Sequence, residues 1–219
     1  MSVRGTVSDG VFIGLWLNHF DGRDILSGGF DGAYTYFASL DFSYGSTSDN
    51  WPEMCRSLRK NGLECSISVG PGYNDVGIRP WNFFNTKSRG NNGRYYMRMW
   101  QLAINSNPTI ISVTSWNEWG EGTQIEPAMS KNKTKIYLDF VARGSELKEY
   151  EEYPDGNPNF FIEQTRHFSD KYREYLASGG MERKILSIGD RNLASIDSES
   201  APKLKDIKIR NNNGILEYL

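Results

Sequence analysis

The chain has 219 residues, 38% of them hydrophobic, which suits one folded domain with a true core and a tail. Lysine plus arginine number 25 against 27 aspartate plus glutamate, with no dense basic block, so nucleic acid and anionic lipid are excluded as expected partners. A neutral or weakly charged ligand fits better, and the 13% aromatic share suits sugar stacking as well as core packing.

Met1 to Asp9 lacks a basic segment followed by an apolar one, and no stretch approaches bilayer length, so no membrane segment is expected in this chain. Four apolar runs follow in order: "VFIGLWL" (11–17), "DGAYTYFA" (31–38), "ECSISVG" (64–70) and "IISVTSW" (110–116). Continuous runs of this length predict strands buried on both faces of a parallel sheet. Between them, "NWPEMCRSLRKNG" (50–62) predicts a helix with Asn50 as N-cap, Pro52 in its first turn and Gly62 at its end. "GRYYMRMWQLAINSNP" (93–108) predicts a second, with Tyr96, Met99, Trp100 and Ala103 on one face and Pro108 as its stop. Strand and helix alternate, which predicts an α/β fold, either a doubly wound sheet or part of an α/β barrel.

Cys55 and Cys65 stand ten apart with no histidines at ligand spacing, so zinc is not expected; a disulfide between them stays open. Residues 129–156 are polar apart from "YLDF" (137–140) and read as a surface loop. A third helix is predicted over 157–180, with Phe161, Thr165, Phe168, Tyr172 and Leu176 at helical spacing and Gly179–Gly180 at its end. Residues 181–219 are charged and turn-rich and read as a poorly ordered tail behind a 9–180 domain. Asn132-Lys133-Thr134 is a glycosylation sequon suited to a secretory lumen, and His19 and His167 have no evident chemical partners.

The chemistry gathers in "TSWNEWGEGTQIEPA" (114–128), which follows the fourth strand and so falls where α/β folds place their active sites. A pair of carboxylates is the minimum equipment for breaking a glycosidic bond, one protonating the departing oxygen and the other serving the nucleophilic side. Trp116 and Trp119 could wall one carboxyl with apolar surface, and Asn117 or Gln124 could hold the other ionised. Gly120 and Gly122 would let the backbone turn both carboxylates inward. The competing account is a loop of exposed glutamates with a tryptophan over the core, since E-x-x-E spacing is common.

The longer string "SWNEWGEGTQIEPA", with "FDGAYTYFAS" (30–39), "SVGPGYNDVGIRPWNFFNT" (68–86) and "YLDF" in this order, resembles the endo-α-1,2-mannosidases of glycoside hydrolase family 99 from about Asp9 to about Leu176. The resemblance implies a (β/α)8 TIM barrel that cleaves within N-linked glycans, releasing glucosylated mannose from glucosylated high-mannose chains in the Golgi lumen. It implies a retaining enzyme without metal or cofactor, membrane-anchored in the family. Its implied mechanism has no enzyme nucleophile: one glutamate deprotonates the mannose 2-hydroxyl, which attacks its own anomeric carbon to form a 1,2-anhydro sugar, while a second acts as acid and then base. By motif position Glu118 is the residue assisting the 2-hydroxyl and Glu121 the acid/base. Tyr36 matches a tyrosine at this centre, with Tyr34 as the alternative. Arg79, Tyr73, Trp81, Asn82, Trp116 and Asn117 are the further candidates for sugar contact.

Two departures stand out. The family pattern carries His where this chain has Gly120. A full barrel also needs about 250 residues, whereas four strand signals are present here, so the expectation is roughly the last four βα units, with the earlier strands and the anchor outside this sequence. Three functional readings follow: an endo-α-mannosidase, an inactive fragment or pseudoenzyme that at most binds glycans, and a polysaccharide-assembly protein sharing W-N-E-W-x-E-G. The "GPGY" and "IRPWN" loops favour the first over the third.

Overall fold

A computed structural model describes residues 3–129 and 151–178. The "YLDF" island, the Asn132 sequon, Gly179–Gly180 and residues 181–219 lie outside the described residues. Strands and helices alternate: β1 (Ile13–Leu15), α1 (Asp21–Ser27), β2 (Gly32–Tyr34), α2 (Trp51–Lys60), β3 (Glu64–Val69), α3 (Arg94–Asn105), β4 (Ile110–Val113) and α4 (Phe160–Ala177). The strands form one parallel sheet in the order β1-β2-β3-β4, with Ala33 opposite Cys65 and Val69 opposite Val113. Every neighbour is the next strand in sequence, with no reversal of order. That is the arrangement of a barrel arc, whereas a doubly wound sheet reverses at its switch point.

Each strand is shorter than the apolar run that announced it. Trp16, Thr35 to Ala38 and Thr114 to Trp116 leave the ladder at the carboxyl ends and become loop. Helix α1 was not expected, because "DGRDILS" is mostly polar. It buries only Gly22 and Ile25, and a Cβ on Gly22 would lie 2.4 Å from the Trp16 ring, so glycine lets the helix lie against the indole. Asn50 does precede α2, but its side chain does not cap it. A short 3-10 turn over Ser48–Asn50 leads directly into α2, and the Asn50 amide instead donates to the Tyr44 carbonyl at 2.9 Å.

The core lies between sheet and helices. Trp51, Met54, Cys55 and Leu58 of α2, the four residues expected on one face of α3, and Phe161 and Phe168 of α4 are buried with Ala33, Ile67 and Val69. Trp100 and Phe168 stack with ring centroids 5.8 Å apart, and Tyr96 bonds Thr165 at 2.8 Å. Each fully buried large side chain contributes about 1.5–3 kcal/mol. Cys55 and Cys65 are joined as a disulfide between α2 and β3, which closes the question left open by their spacing. The other face of β3 carries Ser66 and Ser68, both bonded to Ser112 of β4. Among the described residues no helix is long and apolar enough to cross a membrane.

Candidate active site

Three carboxyl-end segments converge: the turn after β2 with Tyr36, residues 70–82 after β3, and the glutamate loop after β4. The last is closed on itself. Ser115 N donates to the Thr123 carbonyl at 2.9 Å, Ile125 N to Ser115 at 3.0 Å, and Glu118 N to the Ser115 hydroxyl at 2.9 Å. A 3-10 turn over Trp119–Glu121 ends at Gly122, whose φ of +65° is a conformation that favours glycine. The expected backbone role thus falls to Gly122 alone. Gly120 has no positive φ, and a Cβ there would meet Glu118 Oε1 at 3.1 Å and Ile78 Cδ1 at 3.4 Å, so a side chain at 120 would sit against the glutamate.

Arg89 braces this loop from below. It is buried, donates to the carbonyls of Gly122 (3.2 Å) and Gln124 (2.6 Å), and lies over the rings of Tyr153 and Phe161. Burial pulls its pKa below the ordinary value, with the Tyr153 and Glu151 side chains opposing.

Glu121 is mostly covered, its side chain 16% accessible, and its Oε1 accepts from Arg79 Nη1 at 2.9 Å. The same Nη1 lies 3.1 Å from Oδ2 of the fully buried Asp75, which also accepts from Tyr73 Oη (2.9 Å) and Asn82 Nδ2 (3.0 Å). Asp75 and Glu121 together raise the Arg79 pKa. Burial raises the Asp75 carboxyl, but the bonds from Asn82, Arg79 and Tyr73 outweigh it and hold the group below its ordinary range. Burial and the bond to Asp75 push the Tyr73 phenol up.

Tyr36 has φ +59°, a left-handed backbone costing about 1–2 kcal/mol for a residue with a Cβ. Its carbonyl accepts from the Thr114 hydroxyl, which ties β2 to β4 at the site. Burial raises the Tyr36 pKa first, then the negative fields of Glu121 and Glu118, so both carboxylates act on one phenol. The Tyr34 ring stands edge-on to it at 6.3 Å.

The remaining candidates divide. Glu118, Asn117, Trp116 and Trp81 are exposed, the last two at 54% and 75%. Tyr73 and Asn82 turn their polar atoms towards Asp75. Glu126, the third acid of the opening motif, is occupied by the Trp119 indole N–H. Gln124 is fully buried and its amide makes no hydrogen bond among the described residues, so it does not hold a glutamate ionised. Asp75 and Arg89 escaped sequence reasoning; for Asp75 the signal was its four-residue spacing from Arg79, a spacing that pairs opposite charges on one turn. Among the described residues no three His, Cys, Asp or Glu side chains gather as metal ligands.

The parallel barrel arc presents two glutamates in the loop at the carboxyl end of β4, the rim where barrel enzymes place their chemistry. Residues 1–174 match the profile of Glycosyl hydrolase family 99, and the chain belongs to that family. It is 45% identical over 171 residues to a glycoprotein endo-alpha-1,2-mannosidase of Xenopus laevis, covering 78% of this chain and 35% of that protein. It is 44% identical over 172 residues to a human glycoprotein endo-alpha-1,2-mannosidase-like protein, with coverage of 78% and 35%. The solved GH99 endo-alpha-mannosidase of Bacteroides thetaiotaomicron superposes with a TM-score of 0.71 at 40% identity, over 80% of this chain and 51% of that one. The chain therefore spans about a third of those relatives' length and about half of the solved barrel.

Proposed function

We propose that this chain carries the catalytic loop of an endo-α-1,2-mannosidase acting on glucosylated high-mannose N-glycans, with Glu118 and Glu121 as its working carboxylates. The observation that carries the reading is the unequal setting of the pair. Glu118 is exposed, Glu121 is mostly covered and paired with Arg79, and Tyr36 feels both. Glycoside hydrolysis needs two carboxyls with different tasks, one at the leaving group and one on the nucleophilic side, and this pair differs in exposure and in partners.

In an α-mannoside the axial 2-hydroxyl lies on the face opposite the leaving group. Glu118 accepts the 2-hydroxyl proton as that oxygen bonds to C1, while Glu121 gives its proton to the departing oxygen as the C1–O bond breaks. In the second step Glu121 takes a proton from water, the hydroxide adds at C1, the anhydro C1–O2 bond opens, and Glu118 returns its proton to O2. Two inversions leave the configuration retained. Tyr73, Asn82, Trp81, Trp116, Asn117, Arg79 and Tyr36 form the surroundings of the ring, the first two by shaping the Asp75 network. The Cys55–Cys65 disulfide suits an oxidising compartment such as the Golgi lumen.

A test follows from the division of labour. On an aryl glucosyl-α-1,3-mannoside, Glu118→Gln and Glu121→Gln each lower kcat by about 10²–10⁴-fold. On the corresponding mannosyl fluoride, whose leaving group needs little protonation, the Glu121→Gln loss shrinks and the Glu118→Gln loss stays. Equal rates in parent and variants on both substrates reject the assignment. A second reading is glycan binding without turnover, which the exposed Trp81 and Trp116 rings at the rim would serve on their own. It predicts glycan affinity in the parent with no rate above the Glu121→Gln background.

A further inference from the structure

We propose that Asp75 is a positioning residue for Glu121: it shares the Arg79 guanidinium, which fixes the arginine's approach and keeps that cation from neutralising Glu121 alone. The proposal rests on the acid/base role given to Glu121 above.

One nitrogen, Arg79 Nη1, stands between two carboxylates, 3.1 Å from Asp75 Oδ2 and 2.9 Å from Glu121 Oε1. The two acids differ in every other respect. Asp75 is fully buried, and its Oδ2 receives Tyr73 and Asn82 as well as Arg79; its Oδ1 has no hydrogen-bond partner among the described residues. Glu121 is partly open and holds the arginine by one oxygen. With one cation for two anions, neither carboxylate has Arg79 Nη1 to itself.

The backbone holds the cluster in register. Ile78 N and Arg79 N both donate to the Asp75 carbonyl (2.8 and 2.7 Å), and Asn74 N donates to the carbonyl of Glu121 at 2.8 Å. A turn held for shape alone needs only those bonds. The Asp75 side chain adds a buried charge, and a buried charge is retained only with partners, the third of which here is the arginine on Glu121. The charged and titratable groups facing Glu121 are Arg79, Asp75 and Tyr73 from the segment after β3, Tyr36 from the turn after β2, and Glu118 on its own loop.

The test compares Asp75→Asn, Asp75→Glu and Glu121→Gln in the full chain on the aryl mannoside. Without the Asp75 charge Arg79 favours ionised Glu121, so the alkaline limb of the kcat/KM profile moves to lower pH by about one unit and kcat at neutral pH falls about tenfold. KM stays within about twofold, and Asp75→Glu, which keeps the charge, restores the limb to its parent position. A limb unmoved in Asp75→Asn, while Glu121→Gln removes activity, overturns this proposal and leaves the functional reading standing. Activity unchanged in Glu121→Gln overturns the functional reading instead. Should Asp75→Asn fail to fold by circular dichroism, Tyr73→Phe decides: with one donor fewer, Asp75 draws harder on Arg79 and the limb moves to higher pH. An unmoved limb there also overturns the proposal. Independent of turnover, side-chain 15N spectra of the parent show distinct, slowly rotating Arg79 Nη groups, and averaging in the parent contradicts the shared cation.

Discussion

The helix-covered side of the sheet and the rim at its carboxyl end are built on opposite terms. On the covered side Trp51, Tyr96, Met99, Phe161 and Ile67 are sealed from solvent, and a disulfide ties helix to strand. At the rim Trp81, Phe83, Phe84 and Trp116 stand in water, and order comes from polar clusters around Asp75 and Arg89. Apolar burial supplies stability without direction, whereas hydrogen-bonded charge supplies direction at little net stability. Substitutions on the two sides should therefore move different observables.

The largest expected effect lies in the core. Trp51→Ala lowers unfolding free energy by about 3–5 kcal/mol, measured by denaturant titration. A loss below about 1 kcal/mol would contradict the burial assigned to α2. At the rim, Glu121→Gln removes about 10²–10⁴-fold of turnover with the thermal midpoint nearly unchanged, the reverse signature. Next, reduction of Cys55–Cys65 costs about 2–3 kcal/mol, because the crosslink closes a short loop in the unfolded chain. Differential scanning with and without reductant reads it.

Acid sharpens the comparison on the polar side. The Asp75 carboxyl lies below its ordinary 3.8 when folded, so its contribution to stability is present above about pH 4 and drains as pH falls through the lower folded value. Asp75→Asn should flatten the acid limb of the melting temperature against pH. Smallest of all, Trp81→Ala leaves stability within about 0.5 kcal/mol, as expected for an exposed side chain. It raises KM if the ring stacks on sugar, and an unchanged KM removes Trp81 from the binding surface.

The same division explains what the sequence made legible. Strands and long helices announce themselves through apolar period, so β3 is read to within one residue, α3 is read at its start though it ends at Asn105 rather than at Pro108, and the four buried positions of α3 follow from spacing. Helix α1 does not, because "DGRDILS" buries a single apolar side chain, Ile25, and so carries no repeating apolar face. Strand ends were overrun because Tyr36 and Trp116 are as apolar as the strands they follow. The glutamate loop was legible as a motif. The burial of Asp75 and the place of Arg89 beneath the loop were not, since both depend on segments that meet only in the folded chain.

The most direct measurement of the central claim is the stereochemistry of cleavage, followed by proton NMR on an aryl glucosyl-α-1,3-mannoside during the first turnovers. Two carboxylates sharing one mannose through an internal 2-hydroxyl attack predict that the released disaccharide appears first as the α-anomer, and that the signal vanishes in both glutamine variants. The β-anomer appearing first, or no release above the Glu121→Gln background, would contradict it.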